Sequence, residues 1–156
     1  MSSILARLWR SSRFTTNLQL RIMRLFNDEF LIGVTGIIFN NKNQVLLLKH
    51  TYREIEWSLP GGYLQAKEHP TEGLEREVME ETGLTISADK PLTVRTDRET
   101  GRLDMCYIGV FIGGKFKKSK EVIGYKFYSF DTLPLLLPDQ AILIKEALAK
   151  RRIITS

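Results

Sequence analysis

The chain has 156 residues, 43% apolar and 26% charged, a composition that suits one globular domain with its own core. A single cysteine, Cys106, excludes an internal disulfide and a cysteine metal cluster, and no apolar run approaches the roughly 20 residues of a membrane span. The net charge of +5 matches Arg7, Arg10, Arg13, Arg21 and Arg24 in an acid-free N-terminal stretch, and the remainder is neutral, so the basic balance gives no reason to expect nucleic acid as a partner.

Residues 1–17, rich in Ser and Arg, superficially match a mitochondrial transit peptide. Leu18, Ile22, Leu25 and Phe26 then recur at helical spacing with Arg21 and Arg24 on the other side. Residues 1–27 are therefore read as a basic amphipathic arm that packs on the domain or on a second copy, as in a homodimer, with an anionic membrane surface as the alternative. The domain proper is expected over 28–156, in the cytoplasm. Phe30 to Phe39 and Gln44 to His50 are apolar, β-rich runs around Asn40–Asn43, which is turn chemistry, so they predict a hairpin. A polar excursion leads to Trp57, and Pro60-Gly61-Gly62 lets backbone approach a ligand closely.

Pro70 suits a first helical turn and Gly83 the left-handed position past the last one. Between them Glu77, Glu80 and Glu81 share one face, spanning about 100° of arc. Leu74 and Val78 flank that stripe and can bury the helix. Like charges on one stripe repel, and a hard divalent cation reverses the sign of that term. A solvated acidic face is the plainer alternative. Further on, Thr85-Ile86-Ser87 begins an extended segment that Pro91 punctuates. Leu92 to Arg98 and Leu103 to Ile112 predict strands around a turn, and Gly113-Gly114 ends the second. A Lys-rich stretch precedes a strand over Tyr125 to Phe130. Asp139 is expected to cap a last helix to about Arg151, with Ile142, Leu143 and Ala147 on one side.

Gly62, Glu68, Arg76, Glu77, Val78, Glu80, Glu81, Gly83 and Leu84 occupy every fixed position of the Nudix box, G-x5-E-x7-R-E-U-x-E-E-x-G-U with U aliphatic. Trp57 to Gly62 and Ser129 to Pro134 extend the likeness; Lys67 departs from the glycine common before the first glutamate. The chain thus resembles the Nudix hydrolases. The resemblance implies an α+β fold, a mixed β-sheet sandwiched between helices in an α/β/α arrangement. It implies cleavage of a phosphoric anhydride in a nucleoside diphosphate linked to another moiety, with Mg²⁺ or Mn²⁺ as cofactor. The metal ligands it implies are Glu77, Glu80, Glu81 and the Gly61 carbonyl.

Arg76, four residues before Glu80, is expected to fix that carboxylate. Glu68 is read as beginning the helix, in a structural or a metal-linked role. Glu77, Glu80, Arg76 and Glu121 are the catalytic candidates. Glu121 is the candidate base outside the box, against the alternative of an ordinary solvated glutamate. Arg53, Trp57, Gly62 and Tyr63 are the substrate-binding candidates. His50 is a further phosphate contact to consider, and Phe39, Tyr52 and Tyr107 are further stacking groups. A nucleoside triphosphate and a nucleoside-diphosphate sugar both stay open as substrates. The competing class is a non-catalytic nucleotide- or protein-binding module, which the complete set of box glutamates disfavours.

Overall fold

The computed structural model describes residues 31–97 and 101–154. The amphipathic arm expected over residues 1–27 lies outside them, as do Phe30, Arg98, Glu99 and Thr100. Seven strands form one mixed sheet among the described residues: β1 (Leu31–Phe39), β2 (Val45–His50), β3 (Trp57–Ser58), β4 (Gly61–Tyr63), β5 (Leu84–Asp97), β6 (Arg102–Gly114) and β7 (Val122–Tyr128). Helix α1 (Pro70–Thr82) follows β4, and α2 (Pro138–Ile154) closes the described chain.

Strand β1 is the axis. It runs parallel to β6 over its whole length, and its other edge is shared. Phe39 pairs with Val45 of β2, while Gly33, Val34 and Thr35 pair with Tyr63, Gly62 and Gly61 of β4. The sheet therefore splits beside β1. Alternate residues of β1 and β2 face opposite helices, as the period of two requires. Val34, Ile38, Leu46 and Leu48 pack with Leu74 and Val78 of α1. Ile37, Phe39, Val45 and Leu47 pack with Leu143, Ile144 and Ala147 of α2. The result is a helix–sheet–helix sandwich with two cores, the expected fold class.

Local chemistry explains the turns and caps. Asn40 Oδ1 accepts from the Lys42 and Gln44 amides, and Asn43 takes a left-handed backbone with φ 57°, which Asn tolerates. His69 caps α1 in a capping box with Glu72, Pro70 is its first residue, and Gly83 ends it at φ 70°. Glu68 accordingly stands before the helix rather than at its beginning.

Four other expectations are corrected. Pro91 does not divide β5, because it sits among register shifts of an edge strand where a missing N–H is tolerated. Phe130 lies in a short 3-10 turn beyond β7. Asp139 is the second residue of α2, not its cap, and its carboxylate pairs with Arg95 at 2.7 Å. Ile142 is 57% exposed, because the helix turns Leu143, Ile144 and Ala147 inward instead.

Candidate active site

Burying Leu74 and Val78 fixes the rotation of α1 and turns its acidic stripe toward a cavity of about 1200 Å³. Glu77, Glu80 and Glu81 line it together with Gly61, Gly62 and Glu121. The two glycines allow the crowding. A Cβ at Gly62 would run into the Glu77 carboxyl, and one at Gly61 into the Val34 carbonyl. Arg53 and Lys120 line the cavity too, and their loops are tied together. The Thr51 amide donates to the Glu121 carbonyl at 3.0 Å, and the Thr51 hydroxyl to the Lys120 carbonyl at 3.0 Å.

Arg76 is the hub of the acidic end. Its Nε donates to Glu68 Oε1 at 2.7 Å and its Nη2 to Glu68 Oε2 at 3.1 Å, a two-bond fork. Nη1 reaches Glu77 Oε1 at 2.8 Å and Glu80 Oε2 at 3.2 Å, and Nη2 reaches the Tyr63 carbonyl at 3.2 Å. Glu80 is thus the longest of its carboxylate contacts. The fork from Arg76, with the Gln65 amide, holds the Glu68 carboxyl below its ordinary pKa. The role of Glu68 visible here is to anchor Arg76.

Glu81 behaves differently. Burial first, then the negative charges of Glu121 and Glu77, push its pKa up to about 7, only partly offset by Arg53. A carboxylate cluster short of positive charge, with oxygen donors only, fits a hard divalent cation. Among the described residues no three His, Cys, Asp or Glu side chains stand arranged to hold a metal ion. In this arrangement Arg76 engages one oxygen each of Glu77 and Glu80.

The cavity continues onto the α2 face of the sheet, where Asp139 lines it with Thr35, Arg95, Arg102, Asp104 and Gln140, none of them a site candidate from the sequence. Asp104, 4% exposed, accepts from the Thr35 hydroxyl, Arg95 Nη2 at 2.7 Å and Arg102 Nη2 at 3.1 Å. Burial works against its charge, but these donors reverse that and hold its pKa below the usual value. The one available signal was an acid at an inward position of an apolar strand.

Several candidates lie elsewhere. Trp57 does not line the cavity; its indole packs edge-on against Tyr128, with ring centroids 5.4 Å apart, beside the α2 core. Phe39 and Tyr107 are core residues. His50 is buried, with Nε2 2.8 Å from the Ser58 hydroxyl, and cannot meet a phosphate. Arg53, Gly62, Tyr63 and Tyr52 do line the cavity. Burial raises the Cys106 thiol to about 12, consistent with an inert group.

The NUDIX domain family matches residues 29–150. A Methanocaldococcus jannaschii protein named ADP-ribose pyrophosphatase is 31% identical over 121 residues, covering 74% of this chain and 71% of that one. A Danio rerio protein named 8-oxo-dGDP phosphatase is 31% identical over 96 residues, 59% of this chain and 28% of its own length. Among solved structures, a UDP-X diphosphatase aligns over 96% of this chain and 79% of its own, with TM-score 0.69 and 21% identity, a likeness of fold.

Proposed function

Because the chain belongs to the NUDIX family of hydrolases, we propose that it hydrolyses a phosphoric anhydride bond in a nucleoside diphosphate linked to a further moiety. The observation that carries this is the meeting of Glu77, Glu80, Glu81 and Glu121 with the Gly61-Gly62 backbone in one cavity, rimmed by Arg53 and Lys120. Mg²⁺ or Mn²⁺ held by Glu77, Glu80, Glu81 and the Gly61 carbonyl would supply charge neutralisation at phosphate oxygens and a more acidic bound water.

The protein's own groups do the rest by position and charge, which is most of what phosphoryl transfer asks of a protein. Arg76 fixes the rotamers of Glu77 and Glu80 while Glu68 fixes Arg76. Gly62 lets the Glu77 carboxylate lie against β4. Arg53 and Lys120 offer positive charge to the phosphates that flank the cleaved bond. Glu121 is the proposed proton acceptor, set opposite Glu81 on a loop that Thr51 holds.

The names of the relatives, one for ADP-ribose and one for 8-oxo-dGDP, favour a compound with a nucleoside diphosphate core. Release of phosphate or a nucleoside monophosphate across nucleoside triphosphates, nucleotide sugars and ADP-ribose, with Mg²⁺, tests the assignment. Turnover of at least one class, abolished by EDTA and restored by Mg²⁺ or Mn²⁺, is expected. Turnover that persists in chelator sinks the metal-dependent reading, and no turnover of any compound sinks the hydrolase.

A further inference from the structure

We propose that Arg102 and Tyr63 seat the substrate's nucleobase, and that the Arg102 guanidinium reads a ring carbonyl, so that guanine nucleotides are preferred to adenine nucleotides. This assignment rests on the nucleotide-hydrolase reading above and adds the base that such a substrate carries.

Four observations converge. Arg102 lies across β1 where Gly33 leaves room; a Cβ there would stand 2.7 Å from Arg102 Nε and 3.1 Å from Cζ and Nη2. Gly33 is the register partner of both Tyr63 on β4 and Asp104 on β6, so the three strands bring these groups into one row. The Arg102 guanidinium stacks over the Tyr63 ring at 5.4 Å from its centroid, and both residues line the cavity. Tyr63 is 51% exposed, a wide aromatic surface for a planar ring. Asp104 holds the guanidinium in place through Nη2, and is itself held by Thr35 and Arg95. The platform is therefore built and buried at its root, not a loose surface arginine.

The charge pattern argues for a base here rather than a further phosphate. Arg95 and Arg102 are balanced by Asp104 and Asp139, and Arg95 already gives both terminal nitrogens to those carboxylates. Among the described residues this end has little net field for an anion. A guanidinium carries five N–H donors and no acceptor, more donors than Asp104 and Tyr63 take up. It therefore matches an edge made of acceptors. Guanine offers O6 and N7 on one edge, whereas adenine offers an N6 amino donor beside N7.

The test is steady-state hydrolysis of matched pairs with Mg²⁺, GTP against ATP and GDP-ribose against ADP-ribose. The wild-type chain should favour guanine by about tenfold or more in kcat/KM, the scale of one good arginine–base contact. Arg102→Gln should collapse that ratio toward one by raising KM for the guanine compound. Tyr63→Leu, which leaves the Asp104 anchor intact, should raise KM for every base while keeping the ratio. Preference for adenine, or a ratio that Arg102→Gln leaves unaltered, overturns the base assignment while the hydrolase stands. Should Arg102→Gln fail to fold, an unmoved KM in Tyr63→Leu overturns it instead. No turnover of either pair removes the nucleotide-hydrolase reading for these substrates and the base assignment with it.

Discussion

Arg76 Nε donates to Glu68 Oε1 at 2.7 Å, and Nη1 of the same guanidinium reaches Glu77 Oε1 at 2.8 Å. A residue ahead of the helix thereby sets the position of a carboxylate in its middle. Arg76→Lys keeps the charge and loses the fork, which a point-like ammonium cannot reproduce. Activity should fall on the order of ten- to a hundredfold, the scale for a group that orients a metal-binding side chain. Glu68→Gln, which weakens the same anchor from the other side, should fall in that range too. Circular dichroism and kcat/KM measured with rising Mg²⁺ check this. Full activity in both variants would mean that Glu77 needs no such support.

Glu80→Gln and Glu81→Gln each preserve size and remove a charged oxygen. Turnover should drop on the order of a hundredfold or more, as when a single transition-state contact is deleted. The stability of Glu81→Gln in EDTA should hold or rise, because burial and two neighbouring carboxylates already penalise the charge at Glu81. A melting temperature well below wild type would mark Glu81 as structural.

Gly62→Ala tests how closely β4 and α1 approach. The added Cβ meets the Glu77 carboxyl and must push that side chain away. The backbone is extended there, so the strand survives and the loss is in catalysis. A reduction on the order of tenfold or more is expected, given how steeply rate depends on placement. Wild-type kinetics with an intact fold would show that Glu77 can move without consequence.

His50 makes stability fall at acid pH. Burial, with a smaller effect from Arg53, lowers its pKa from 6.5 to about 4. Between those values the unfolded chain takes up a proton that the folded chain refuses. The contribution is therefore intact above about pH 6.5 and lost as pH falls toward 4, amounting to about 3 kcal/mol in all. His50→Gln should flatten that part of the stability curve in urea melts at pH 7, 6 and 5. An acid limb of equal steepness in the variant would assign the effect to other groups.

The sequence by itself determined the family, the acidic helix and most of the strands. Those features are local: a helix start and stop at Pro70 and Gly83, a stripe set by 3.6-residue periodicity, and a hairpin set by the hydrogen bonds of Asn40. A spacing motif is a record of short-range geometry, so it can be read without the fold. Only the tertiary structure decided which groups share the cavity. Arg95, Arg102 and Asp104 lie on two strands, and Asp104 meets Thr35 because β1 and β6 pair in parallel along the length of β1. Trp57 and His50 looked available in sequence and were claimed by Tyr128 and Ser58. Pairing register and burial are long-range choices, made by the chain's competition for its core, and no window of neighbouring residues contains them.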